Sequence, residues 1–133
     1  MSFFAQHQRL LFICGTVYAI GLIVTHATLP SAHVWWIAAA FSILMNAPYV
    51  IEARAQQSHI GLETTLAVTL IAMSLAGPLV APPFVIAAIL CHALWDIAKL
   101  RGAGVPFVSW YMLGCAVIDV TYASALTLYW LRV

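Results

Sequence analysis

Residues 91–122 decide the fold: they read CHALWDIAKLRGAGVPFVSWYMLGCAVIDVTY, two apolar segments joined by a short basic turn. His92 and Asp96 lie on the first segment, and Asp119 lies in the middle of the second. An ionisable side chain at such membrane depth costs about 2.5 to 3.5 kcal/mol on translocon scales, and it usually serves a function or a tight polar contact. The stretch therefore predicts a membrane protein with a buried acidic site.

The composition of the whole chain agrees with this prediction. Of the 133 residues, 65% are hydrophobic and 7% are charged, and the mean hydropathy is +1.03. A soluble domain carries roughly 25% charged residues, so this chain cannot cover a water-facing surface. We predict an all-α integral membrane protein in which residues 1–133 form a single bundle domain of five transmembrane helices. A bundle of four helices is the alternative, because one apolar segment is short.

Proline, glycine and polar turns separate the predicted spans. Pro48 should kink the second span, and Gly77-Pro78 should end the third. The first span is interpreted as a retained helix, because Thr25-His26-Ala27 is a poor cleavage site for a signal peptidase. The five predicted spans are residues 9–28, 33–54, 59–76, 83–100 and 108–131.

The sequence also predicts burial for one face of the first span and for the three cysteines. Small or polar residues recur along one face of the first span, and we expect this face to point into the bundle. These residues are Cys14, Tyr18, Gly21 and Thr25. The three cysteines are far apart and form no CxxC motif, so we interpret them as small buried hydrophobic residues and not as a redox pair. They are Cys14, Cys91 and Cys115.

The basic residues predict the orientation in the membrane. With five spans, Arg9, Arg54 and the Lys99–Arg101 turn fall on one side, and Arg132 falls on the other. The positive-inside rule then places the N-terminus in the cytoplasm and the C-terminus outside, with the inner membrane as the location. The net charge is only +1 and no basic cluster occurs, so nucleic acid is not an expected partner.

The acidic residues approach the same cytoplasmic side at different depths. With a rise of about 1.5 Å per residue, Asp96 lies roughly 6 Å and His92 roughly 12 Å inside the end of their helix. Asp119 lies roughly 16 Å from the start of the last span, which is close to the midplane. We expect these groups to line a funnel from the cytoplasm with Asp119 at its base.

Such buried carboxylates predict an acid-base enzyme, isomerase-like or cyclase-like, that acts on a lipidic or isoprenoid substrate. Asp96 and Asp119 would transfer protons, His92 would orient Asp96 or relay its proton, and Glu63 would support them. Aromatic rings would stabilise a carbocation by cation-π contact. The residues predicted to bind substrate are Trp95, Tyr49, Asn46, Tyr111, Tyr122 and Glu52.

Three alternatives stay open. No cofactor is predicted, but His92, Asp96, Glu63 and Asp119 form an N/O ligand set that suits a divalent metal. The acids could instead carry protons or cations in a small transporter. A structural role is also possible, with polar pairs that hold the helices together. Membrane lipid or a hydrophobic small molecule is the expected partner, and a homodimer is possible.

Three motifs in the second half of the chain resemble those of a known family. They are HALWD at residues 92–96, the turn at Gly102, Gly104 and Pro106, and GCAVID at residues 114–119. The chain resembles an uncharacterised family of small bacterial integral-membrane proteins with an HAxWD then GCAxxD pattern. The resemblance covers roughly the last 45 residues and implies that His92, Asp96 and Asp119 belong to the site. The family carries no known activity, so the resemblance implies the position of the site and not the reaction.

Overall fold

Helices separated by short turns account for nearly all of residues 3–133, which are the residues that the computed structural model describes. Five helical spans in this range are long and apolar enough to cross a membrane. The predicted five-span, all-α bundle is therefore confirmed. The helices are α1 (Phe3–Gln6), α2 (Gln8–His26), α3 (Ser31–Met45), α4 (Ala47–Ala55), α5 (Ile60–Leu79), α6 (Pro83–Leu100) and α7 (Ser109–Trp130).

Helices α3 and α4 form one span that is interrupted at Asn46. Pro48 follows two residues later and has no N–H to donate to the preceding turn, which favours a break at this point. The side-chain amide of Asn46 donates a hydrogen bond to the backbone carbonyl of Ser42 at 2.8 Å. This bond satisfies a backbone group inside the membrane, where an unpaired carbonyl is costly. The span is thus interrupted at Asn46, two residues before the Pro48 at which a kink was predicted.

Helix α5 ends later than predicted. It continues through Gly77 and Pro78 to Leu79, where the sequence predicted an end near residue 76. Pro78 has no N–H to donate to the carbonyl four residues earlier, and the helix ends one residue later, at Leu79. A Cβ atom on Gly77 would lie 2.7 Å from Cγ1 of Val85. The absence of a side chain at Gly77 therefore lets α5 and α6 pack closely.

Helix α2 lies at the edge of the bundle. Its buried residues are Ala19, Leu22 and His26. The face predicted to point inward is instead exposed, and so are Cys14 and Cys91. Inside a bilayer an exposed face contacts lipid, which solvates small apolar side chains as well as a protein interior does. The pattern of small residues therefore could not identify the face of α2 that packs on the bundle. The prediction that the face with Cys14, Tyr18, Gly21 and Thr25 points inward was wrong.

Candidate functional site: a buried His-Asp-Asp cluster beside a lateral cavity

Three ionisable side chains meet between α6 and α7. His92 and Asp96 are one helical turn apart on α6, so they share a face, and Asp119 on α7 opposes them. His92 Nδ1 lies 2.9 Å from Asp119 Oδ2 and 3.5 Å from Asp96 Oδ2. All three side chains are fully buried. The structure thus brings together three of the four predicted catalytic residues, and we call this group the triad.

Tyr49 completes the polar contacts of the triad. The phenol O–H of Tyr49 donates a hydrogen bond to Asp96 Oδ1. Its ring also stacks on the His92 imidazole, with 5.7 Å between centroids and 18° between planes. Tyr49 is buried on α4, directly after the break at Asn46, so the interrupted span positions this phenol against the triad. It contacts the triad and does not border the cavity described below.

The triad contains more hydrogen-bond acceptor atoms than there are donors to pair with them. Asp119 Oδ1, Asp96 Oδ2 and His92 Nε2 have no hydrogen-bond partner among the described residues. A neutral imidazole beside two carboxylates carries two negative charges, and buried net charge is unfavourable. Electrical neutrality therefore requires two additional protons or one divalent cation. This requirement limits what the triad can do chemically.

A second buried cluster lies one turn further along α6. Lys99 forms a close ion pair with Glu63 of α5 and donates a hydrogen bond to the backbone carbonyl of Val105 at 2.9 Å. The backbone N–H of Val105 donates to Glu63 Oε1 at 2.8 Å, and the indole N–H of Trp95 donates to Glu63 Oε2 at 3.1 Å. We call these four residues the Glu63–Lys99 cluster. Its charges balance internally.

The Glu63–Lys99 cluster closes the end of the bundle that was predicted to be open. The loop after α6 folds over it, and Gly104 adopts φ +65°, a conformation that side-chain-bearing residues rarely take. The Lys99 ammonium lies 4.4 Å from the centre of the Tyr49 ring and thus covers the triad from this side. The predicted funnel is not present among the described residues, because Glu63 and Lys99 neutralise each other and pack into a seal.

The triad is instead bordered by a cavity that opens sideways, between α2, α3 and α7. The cavity has a volume of about 250 Å³ and is mainly apolar. Asp119 forms part of its inner wall but has no exposed surface, so a ligand reaches the carboxylate only by shifting neighbouring side chains. The cavity is lined by Leu11, Phe12, Gly15, Tyr18, Phe41, Leu44, Met45, Trp110, Tyr111, Gly114, Cys115, Ile118 and Asp119.

The predicted substrate-binding residues have different positions in the structure. Tyr111 lines the cavity. Trp95 and Asn46 are engaged in the hydrogen bonds described above, and Glu52 accepts a hydrogen bond from the Gln56 amide at 2.8 Å. Tyr122 is hydrogen-bonded to His26 Nε2 at 2.6 Å, at the C-terminal end of α2.

Two features of the site were missing from the sequence interpretation. His26 is buried at the C-terminal end of α2, although its place next to a turn gave no indication of burial. The cavity wall on α2 and α3 consists of apolar residues such as Phe12 and Phe41, which carry no chemical signature. The stripe Tyr111, Cys115 and Asp119 on α7 was the available indication of a wall, since all three line the cavity.

The triad also fits a small cation. Each of its members offers one ligand atom, and these atoms lie within 4.8 Å of one another. One imidazole nitrogen and two carboxylate oxygens suit zinc, iron or manganese. Glu63 was predicted as a fourth ligand, but it is held by Lys99, Trp95 and Val105. The residues that can hold a metal are therefore His92, Asp96 and Asp119.

The triad and the cavity lie next to each other, and Asp119 belongs to both. The resemblance in residues 92–119 to an uncharacterised membrane family stays a prediction. Neither a family model, nor a curated protein, nor a solved structure matches this chain.

Proposed function

We propose that the protein is a membrane-embedded acid-base enzyme that isomerises or cyclises a hydrophobic lipidic or isoprenoid substrate. The observation that carries the proposal is the position of Asp119, which borders the lateral cavity and contacts His92 at 2.9 Å. A carboxyl group in an apolar wall, with an imidazole nitrogen and a second carboxyl group next to it, can transfer a proton to an apolar molecule. The reaction requires no cofactor.

The proton chemistry follows from the order of the groups. Asp119 donates its proton to one carbon of a double bond, and the resulting carboxylate accepts the proton of a neighbouring carbon, so the double bond moves. His92 Nδ1 lies 2.9 Å from Asp119 Oδ2 and 3.5 Å from Asp96 Oδ2, so the same nitrogen can exchange a proton with either carboxyl group. In this proposal Asp96 holds a further proton and accepts a hydrogen bond from Tyr49. Because neutrality of the triad requires two protons beyond a neutral imidazole and two carboxylates, a proton donor is present in its resting state.

Aromatic residues support this chemistry. Tyr18, Phe41, Trp110 and Tyr111 all line the cavity. A carbocation next to such faces gains roughly 0.5 to 2 kcal/mol from each cation-π contact, more when water is excluded. The apolar lining also keeps water from capturing the cation. These rings therefore favour a cationic intermediate over an anionic one.

We also propose the inner membrane as the location, with the N-terminus in the cytoplasm. The support is the charge distribution: Arg9, Arg54, Lys99 and Arg101 fall on one side of the five spans. In this orientation the Glu63–Lys99 cluster faces the cytoplasm. Substrate then enters sideways from the lipid.

The first prediction is a solvent-exchange reaction. Incubating the protein with a lipid extract of its own cells in D2O should place deuterium on one lipid species, detected by mass spectrometry. Asp119→Asn should abolish the exchange, because the donating carboxyl group is lost. Asp96→Asn should slow it by about 10²- to 10⁴-fold, the usual contribution of a general acid or base.

A matched control is available in Glu52→Gln. Glu52 was predicted to bind substrate, but in the structure it contacts Gln56 and lies outside both the triad and the lining of the cavity. Exchange in this variant should equal that of the unmodified protein. Exchange that persists in Asp119→Asn, or no exchange with any lipid in the unmodified protein, would overturn the proposal.

A metal-dependent membrane enzyme is the second candidate function. The specific observation in its favour is that Asp96 Oδ2 has no hydrogen-bond partner and yet lies 3.5 Å from His92 Nδ1. Neighbouring ligand atoms around one ion have similar separations, since metal-ligand distances are about 2.0 to 2.2 Å. A divalent cation would also neutralise the triad. In that case Asp119 would serve as a ligand, and metal-bound water would be the reactive group.

The second prediction decides between the candidates by metal content. Protein purified without chelator and without a histidine tag should contain well under one zinc, iron or manganese per chain if proton chemistry is correct. A stoichiometric metal that is lost in Asp96→Asn, and retained in Glu52→Gln, would favour the metal-dependent enzyme. The measurement needs no knowledge of the substrate.

A further inference from the structure

A long groove runs along the lipid-facing side of the contact between α2 and α7. It has a volume of about 710 Å³ and is separate from the cavity beside Asp119. On each helix its lining residues recur at intervals of about three to four, as one helix face requires. They are Gln8, Arg9, Phe12, Thr16, Ala19, Ile20 and Ile23 on α2, and Trp110, Leu113, Gly114, Val117, Ile118 and Thr121 on α7.

The polar groups of the groove are concentrated at one end. Arg9 and Gln8 are exposed there, and Arg9 forms no ion pair within residues 3–133. Trp110 lines the groove, and its buried indole N–H has no acceptor among the described residues. All three side chains can donate hydrogen bonds, and Arg9 adds a permanent positive charge. This end of the groove is complementary to an anion with several oxygen acceptors.

The rest of the groove is apolar. Thr16 and Thr121 line it, but their hydroxyls donate to the backbone carbonyls of Phe12 and Val117 at 2.8 Å each. From Arg9 to Ile23 the groove extends about 21 Å along α2, taking a rise of about 1.5 Å per residue. One leaflet of a bilayer is roughly 15 Å of hydrocarbon, so this length accommodates one long tail. A charged end and an apolar length of this size match an anionic head group with one tail along the groove, and not a second transmembrane helix.

Only a thin wall of shared side chains separates the groove from the lateral cavity beside Asp119. Phe12, Trp110, Gly114 and Ile118 line both spaces. Phe12 lies over Gly114, where a Cβ atom would be 3.8 Å from the Phe12 ring. The Phe12 ring therefore packs on α7 at Gly114 and forms part of the wall between the two spaces. Asp119 lies five residues beyond Gly114 on α7, about 7 Å deeper in the membrane.

We propose that the substrate is a long single-chain amphiphile with an anionic head group, such as a fatty acid or an isoprenyl phosphate. Arg9, Gln8 and Trp110 bind the head group, and the tail lies in the groove and passes Phe12 toward Asp119. The reacting carbons are then in the tail, at a distance from the head group. This inference rests on the proposed function, because it names the substrate class of the same site.

The third prediction concerns binding and needs no turnover. Full-length protein in nanodiscs of zwitterionic lipid is titrated with radiolabelled hexadecyl phosphate and, separately, with hexadecanol. Hexadecyl phosphate should bind at least roughly tenfold more tightly, since its phosphate forms charge-assisted hydrogen bonds with Arg9 that the uncharged alcohol lacks. Arg9→Gln should reduce its affinity to that of hexadecanol. Arg132→Gln, which changes an exposed arginine outside the groove, should have no effect.

The outcomes separate this proposal from the proposed function. Asp119→Asn should bind hexadecyl phosphate normally, so a loss of exchange chemistry with intact binding concerns the enzyme alone. Equal affinity for phosphate and alcohol, or normal binding by Arg9→Gln, would overturn the anionic substrate class. Failure to bind either compound, together with a dimer that persists in nanodiscs, would show that a second copy covers the groove, and this too would overturn the proposal.

Discussion

Replacing Lys99 with methionine should lower the free energy of unfolding by about 3 to 5 kcal/mol, the usual effect of removing one partner of a buried ion pair. Lys99 and Glu63 are 5% and 2% exposed, so water cannot take the place of the lost ammonium. The variant also leaves the Val105 carbonyl without its donor. Unfolding is measured by titration with a denaturing detergent in mixed micelles.

Arg101→Met is the matched control for this prediction. Arg101 is a cation of the same turn but is exposed, and such surface substitutions usually change stability by at most about 0.5 kcal/mol. The double variant Lys99→Met with Glu63→Gln should recover much of the loss, because it removes both charges together. If Lys99→Met and Arg101→Met were equally stable, the Glu63–Lys99 cluster would not be the seal that the structure indicates.

The polar residues of α6 show how far the sequence could predict the site. His92, Asp96 and Lys99 recur along one stripe, and the i, i+4 spacing predicted the first contact of the triad. The sequence could not predict that Lys99 belongs to a separate cluster, because that depends on where Glu63 of α5 arrives. The convergence of His92 and Asp119 was an expectation from energetics, since lipid cannot solvate either residue. The geometry confirms that these two side chains meet.

The lateral cavity was beyond prediction for a different physical reason. In a soluble protein, polar residues mark the outside of a helix, whereas lipid and protein interior both accept Phe, Leu and Ile. The first span therefore carried no information about which face packs on α7. The predicted inward face, from Cys14 to Thr25, is displaced by one residue from the face that contains Ala19 and His26. An access route between α2 and α7 depends on this rotation.

The triad should contribute nothing net to the stability of the fold, and this is the last prediction. A variant with His92→Leu, Asp96→Leu, Asp119→Leu and Tyr49→Phe should unfold with a free energy equal to the unmodified protein, or up to about 4 kcal/mol higher. Apolar side chains of similar shape need no hydrogen bonds, and the triad leaves three of its polar atoms without partners. His92→Leu alone should be less stable by about 3 to 5 kcal/mol, because it leaves two buried carboxyl groups without the imidazole that both contact.

The comparison of these two variants tests whether the polar groups of the triad serve chemistry or the stability of the fold. If the fourfold variant is as stable as the unmodified protein but inactive in deuterium exchange, the buried acids are retained for chemistry and not for folding. If it is less stable than His92→Leu, the contacts among His92, Asp96 and Asp119 hold α6 against α7, and the structural alternative is correct. Natural active sites commonly sacrifice stability for function, because their charged groups are held away from the water that would stabilise them. A triad that is fully buried, short of hydrogen-bond donors and adjacent to a cavity has the properties of such a site.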